Sequence, residues 1–249
     1  MPARYRQMLA EVRRSYTPEK AADEARNEFL AFILYRPLSF LVTPLFLRLG
    51  FTADAVTVAG GLATVAMLPV AFLGGPHAFW VVIALGLAVQ VLDCVDGNVA
   101  RVTGRRSPVG GMLDGMGTQL FWTAYFASVG ALAEATATGW IATHGREIGL
   151  ALAALMFAQR SWENTFEENS RQRVRWEPPV PAAGPRFDLK RWAKVVEQVV
   201  AFGGLTAAGL TARIDWFLAL LAGYQLTVLA LWLPRFAAAV HRRSQERLP

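Results

Sequence analysis

The chain has 249 residues, 54% of them hydrophobic, with a mean hydropathy of +0.31 and a formal charge of +6. A water-soluble protein of this size rarely carries so much apolar residue, so the composition points to a polytopic membrane protein. The positive charge does not indicate nucleic acid, because Lys and Arg flank apolar stretches; the single cysteine, Cys94, excludes an internal disulfide and reads as a small helix-packing residue.

Residues 5–28 are rich in Arg, Glu, Lys and Ala and predict a surface helix or arm, with no cleavable signal peptide. Residues 29–49 are apolar but interrupted by Arg36, Pro37, Pro44 and Arg48, which predicts an amphipathic helix lying in the membrane interface. A first span is expected from Ala55 to Leu73, since ~19 helical residues cover roughly 28 Å, about the hydrocarbon thickness. Asp54, just before it, suits a helix N-cap. Gly74, Gly75 and Pro76 break the chain before a second span, Ala78 to Val102. The third, Val109 to Ala133, opens with Gly111 and Gly115, a small-xxx-small pair that permits close helix approach and a homodimer. A polar loop with a solvated His144 leads to the fourth span, Ile148 to Thr165. Its end carries Arg160, Glu163, Asn164, Glu167 and Arg171 near one face, either as helix-end ion pairs or as carboxylates reaching a cleft. A basic, proline-rich loop (171–194) places Trp176 and Trp192 near the headgroups. The fifth and sixth spans are Val195 to Leu210 and Ile214 to Leu233. The expected organisation is all-α: a cytoplasmic arm and interfacial helix (1–54), a six-helix membrane unit (55–236) and a basic tail (237–249).

Of the 25 Lys and Arg, 22 fall in the N-terminal 54 residues, the 101–106 turn, the 171–194 loop and the C-terminal stretch from Arg235 on, against two, Arg146 and Arg213, on the opposite side. The positive-inside rule then puts both termini in the cytoplasm.

Residues 93–118 read D-C-V-D-G-N-V-A-R-V-T-G-R-R-S-P-V-G-G-M-L-D-G-M-G-T. On a helix, Asp93, Asp96, Gly97, Ala100 and Arg101 share one stripe, and Asp114 and Thr118 lie one turn apart on the next helix. A tight connection at Gly104 to Pro108 would bring the stripes face to face. Carboxylates within membrane-length segments are costly and mark functional sites. Three hard oxygen donors with glycines beside them suit Mg2+ or Mn2+ and a phosphate rather than Zn2+. Arg105 and Arg106 read as either a cytoplasmic anchor or a phosphate or acceptor contact.

This stretch resembles the CDP-alcohol phosphotransferase family, whose signature is D-x2-D-G-x2-A-R-x8-G-x3-D-x3-D. Asp93, Asp96, Gly97, Ala100, Arg101, Gly110 and Asp114 match it at the required spacing, and Thr118 stands where the family has a fourth aspartate. The resemblance implies transfer of a substituted phosphoryl group from a CDP-alcohol, such as CDP-diacylglycerol, to an acceptor hydroxyl, with release of CMP. It implies two divalent ions held by Asp93, Asp96 and Asp114, and a nucleotide near Thr57, Gly97, Ala100, Arg101 and Gly110. Asp54 sits where the family has an asparagine near the nucleotide, so it reads either as the cap alone or as a nucleotide contact too. The charge distribution, read independently, puts these Asp stripes at the cytoplasmic end of a multi-pass protein of the cytoplasmic membrane, in contact with lipid. A threonine hydroxyl is no general base near neutrality. Glu163, Glu167 or Asp54 would then act as base, the acceptor would ionise on the metal, or the chain would bind without turnover. A cation transporter is the alternative from another class, but transporters commonly carry internal repeats and none is found.

Overall fold

Helices follow one another along the computed structural model, which describes residues 3–75, 77–105, 107–171 and 199–245 and contains no strand among them. Two short helices, α1 (Ala3–Ser15) and α2 (Pro18–Asn27), form the N-terminal arm. A π-helical turn over Ala31–Tyr35 runs directly into α3 (Arg36–Arg48). Then come α4 (Ala53–Leu73), α5 (Ala78–Thr103), α6 (Pro108–Thr136) and α7 (Ile141–Arg171). A second π-helical turn, Val200–Gly204, leads into α8 (Leu205–Leu210), and α9 (Ile214–Gln245) completes the described chain.

Four stretches are long and apolar enough to cross a membrane: Ala31–Arg48, Ala53–Leu73, Ala78–Thr103 and Ile214–Ala238. At 29 and 31 residues, α6 and α7 have the length but not the same apolarity. The described part of the expected fifth span, Val200–Leu210, is shorter than a span. The basic loop, with Trp176 and Trp192, lies outside the described residues, as does Arg106.

The segment expected to lie in the interface is thus apolar enough to cross. Its two prolines do not break it: Pro37 follows directly on the widened π-helical turn, and Pro44 lies inside α3. Its Arg36 is not in water. The guanidinium is buried and paired with Glu24 of α2, itself fully buried, through Nε at 2.9 Å and through Nη2. Tyr16 donates to the same carboxylate at 2.8 Å, and Arg36 Nη1 donates to the Cys94 carbonyl at 2.9 Å and to Asn98 Oδ1 at 3.1 Å. Asn98 is fully used, since its amide donates to Ser39 and Thr43 at 3.0 Å each. A buried charge needs this degree of pairing to persist. Burial pushes the Glu24 carboxyl up, but hydrogen bonds from Arg36 and Tyr16 and the charges of Arg36 and Lys20 outweigh it and hold the group below the usual carboxylate range. The arm is therefore fastened to α5.

Helix α4 packs on both α5 and α6, whereas α5 and α6 touch each other only lightly. The closest pairing is α6 with α7, at a glycine crossing: a Cβ on Gly130 would lie 2.5 Å from the Gly149 Cα. The small pair read from sequence is not the one used here, because a Cβ on Gly111 or Gly115 would meet nothing within 4 Å. The core centres on Phe121, Tyr125 and Phe126 of α6 with Phe202 beyond, the Phe121 and Phe202 rings stacking at 6.1 Å. The α5–α6 connection has the expected tight form. Gly104 closes α5 in the left-handed region (φ 67), Ser107 caps α6 by accepting from the Gly110 N–H at 2.8 Å, and Pro108 begins the helix.

Candidate active site

The signature residues line two adjoining chambers between α4, α5 and α6. The deeper, about 220 Å³, has walls that include Asp93 and Asp96 of α5, Asp114 and Thr118 of α6, Thr57, Gly60 and Gly61 of α4, Arg160 of α7, and Glu28 from the arm. The outer, about 260 Å³, is lined by Asp54, Thr57, Asp96, Gly97, Ala100, Arg101, Arg105, Ser107, Gly110 and Asp114. The two acid-bearing helices face each other across this space rather than packing together, with α4 as the third wall.

Each side chain has an identifiable reason for its position. Thr57 Oγ1 donates to Asp96 Oδ2 at 2.6 Å, tying α4 to α5 at the junction of the chambers. Asp93 and Asp114 lie within hydrogen-bonding reach of one another. Asp54 is not the helix cap, because Thr52 takes that role, accepting from the Ala55 N–H at 3.2 Å. Released from capping, Asp54 accepts from Ser107 Oγ at 2.9 Å and so joins the start of α4 to the start of α6. Gly110 is required by that joint, since a Cβ there would sit 2.8 Å from Asp54 Oδ1. Gly97 lets Arg101 fold back along α5, a Cβ there falling 3.2 Å from Arg101 Nη1. Arg101 Nη2 donates to Asn98 Oδ1 at 2.6 Å and thus joins the network that anchors the arm. Thr118 lines the deep chamber, its hydroxyl donating to the Asp114 carbonyl at 3.2 Å.

All six residues expected around a nucleotide share the outer chamber, and all three expected metal ligands line the inner one. Glu163 and Glu167 belong to α7, but their side chains lie outside the described residues. Sequence reasoning missed Ser107, Asn98, Glu24 and Glu28. Only Arg36 gave a signal for the network, as a charge within an apolar stretch that requires a partner.

The described walls of the inner chamber hold four carboxylates, with Arg160 as their basic residue. Such an excess of negative charge suits cations. Among the described residues no three His, Cys, Asp or Glu side chains surround a single point as a ready cage. Mg2+-type ions take one or two carboxylates and complete their shell with water and substrate oxygens, so no single ion would need all three aspartates. An apolar groove of about 510 Å³ adjoins the chamber, lined by Val58, Leu62 and Val65 of α4, Leu113, Met116 and Leu120 of α6, and Phe157. It shares Thr57, Gly61 and Gly117 with the inner chamber.

Comparison with known proteins agrees with this arrangement. The archaetidylinositol phosphate synthase of Aeropyrum pernix is 38% identical over 82 residues, which is 33% of this chain and 41% of that protein, so the chain spans well under half of the relative's length. The family model for CDP-alcohol phosphatidyltransferase matches residues 51–234, from the start of α4 into α9. This is a transferase family of phospholipid biosynthesis, generally dependent on divalent metal. The chain is a membrane protein that belongs to the CDP-alcohol phosphatidyltransferase family.

Proposed function

We propose that this protein moves a phosphatidyl-type group from a lipid CDP-alcohol to the hydroxyl of a small phosphorylated acceptor, releasing CMP. The observation that carries the reading is the position of Thr57, which lines the carboxylate chamber, the outer polar chamber and the apolar groove at once. A donor with its pyrophosphate at that junction would have a polar space for cytidine on one side and an apolar one for its chains on the other. The relative's name, a synthase of archaetidylinositol phosphate, supports a phosphorylated cyclitol as acceptor.

Asp93, Asp96 and Asp114 would hold the divalent ions, two in number. When bound, these ions neutralise the pyrophosphate and the departing CMP. Thr57 fixes the Asp96 carboxylate, and Gly97 and Ala100 leave the nucleotide room beside α5. Arg101 and Arg105 present guanidinium groups to phosphate oxygens. The protein's contribution is chiefly to position the reactants. The proposed setting is the cytoplasmic membrane, with six spans, the arm and basic tail outside the 55–236 unit, both termini cytoplasmic and the chambers opening there. Charge asymmetry supports that orientation.

The test is CMP release from CDP-diacylglycerol by purified protein with Mg2+ or Mn2+ and a panel of acceptors that includes inositol phosphate and glycerol phosphate. Turnover that disappears with chelator is expected. No release with any acceptor sinks the reading. Thr118 favours one second reading, a relative that binds nucleotide without turnover; activity created only by Thr118→Asp would establish it.

A further inference from the structure

We propose that Glu28, from the N-terminal arm and outside the family-matched region, is the proton acceptor for the attacking hydroxyl. The inference rests on the phosphotransfer reading above. In that reaction the acceptor O–H breaks, and its oxygen bonds to the phosphorus carrying the lipid alcohol. The bond from that phosphorus to the CMP oxygen breaks, its electron pair leaves with CMP, and the proton must go to a nearby base.

Four described carboxylates line the inner chamber. Three of them are committed: Asp96 accepts from Thr57, Asp93 and Asp114 lie against each other, and these three are the donors assigned to the ions. Glu28 is different. Among the described residues its carboxylate has no hydrogen-bond or ion-pair partner, yet it lines the same chamber as Asp93 and Asp114. It is exposed, so a proton taken up there can pass to water. Among the described residues, the further carboxylate beside this space, Asp54, belongs to the outer chamber and is held by Ser107. Thr118 shares the inner chamber but offers only a hydroxyl.

The fold also fixes Glu28 in place. Its backbone leaves the helical conformation (φ −139, ψ 58), which ends α2 and turns the residue away from the helix. Its N–H donates to the Glu24 carbonyl at 2.7 Å, and its own carbonyl accepts from the Phe32 N–H at 3.0 Å. Glu24 is clamped by Arg36, which reaches the carbonyl of Cys94, the neighbour of Asp93. Two links thus connect the base to the acid-bearing stretch of α5.

The experiment uses the full chain in lipid nanodiscs with Mg2+, CDP-diacylglycerol and whichever panel acceptor gives turnover. Glu28→Gln keeps the shape and removes the base. The expected result is a kcat lower by about 100-fold, with the donor KM and the thermal stabilisation by CDP and Mg2+ unchanged. Thr118→Asp in the Glu28→Gln background restores turnover, because position 118 faces the same chamber. An unchanged kcat overturns the assignment. So does a CDP–Mg2+ stabilisation that falls with kcat, which would make Glu28 a metal ligand, and so does a double variant as slow as the single one. A wild-type chain that releases no CMP is a different failure, since it removes the phosphotransfer reading and this inference with it.

Discussion

Two clusters of charge meet along one stretch of α5, the Arg36 joint at Cys94 and Asn98 and the chamber at Asp93 and Asp96, and they are built in opposite ways: the first is buried, the second largely open. At the Glu24–Arg36 joint the charges cancel, and Tyr16, Asn98, Ser39, Thr43 and a backbone carbonyl satisfy the remaining donors and acceptors. In the inner chamber four carboxylates share the walls with one described basic residue, Arg160, and Thr57 donates to Asp96 while Asp93 and Asp114 face each other. Charge that is fully paired serves the fold, whereas charge gathered without matching partners raises the energy of the empty protein and is relieved by a ligand.

The sharpest way to break this contrast is to neutralise each cluster in turn. Asp96→Asn retains an oxygen for the Thr57 hydroxyl but weakens the hold on cations. CMP release should fall on the order of 10³-fold, corresponding to several kcal/mol of lost metal stabilisation, while the thermal midpoint without ligand stays level or rises. A midpoint that drops would mean that the chamber's charges are structural after all.

Arg36→Met should do the reverse, leaving Glu24 buried and unpaired at a cost of about 3–5 kcal/mol in unfolding free energy. Adding Glu24→Leu should recover most of that loss, because an apolar pair of similar volume tolerates the same burial. Equal damage from single and double variants, measured by denaturation in detergent, would show that the joint is not an isolated pair.

The smallest effect expected is on acidification. Glu24 is held below its ordinary range, so its contribution is complete above the unfolded value, ~4.3 for glutamate, and is lost as pH falls through the lower folded value. Protease protection of residues 3–27 should therefore be constant from pH 7 to 5 and decline only below about 4. Release of the arm at pH 6 would contradict the pairing.

Much of the site was legible in the sequence because it is local. Asp93, Asp96, Gly97, Ala100 and Arg101 share a helical stripe, and Gly104 to Pro108 announce the turn that returns Asp114 to the same space. What could not be read is what depends on distant partners. Nothing near Glu24 or Glu28 distinguishes them from the other charges of the arm; their positions follow from Arg36, and its partners follow from how α3 crosses α5. Asp54 was open to a cap reading because Thr52 competes for the role two residues earlier, and the deciding contact, Ser107, is 53 positions away. Gly111 and Gly115 matched a packing pattern, but the close crossing went to Gly130 and Gly149, where helix direction rather than spacing decides. The helix class was plain from hydropathy, while the span count was not, since α6 and α7 owe their burial to each other as much as to apolarity.

The wide turn at Ala31–Tyr35 has a consequence for the chain's register. An α-helix advances about 100° per residue, so one residue more or fewer between Glu28 and Arg36 rotates everything upstream by that angle relative to α3. With the turn tightened to an ordinary α-helix, Glu24 and Glu28 would swing around the axis together, one off its arginine and the other out of the chamber. The phase of a single helical turn thus couples the anchoring of the arm to the chemistry it reaches.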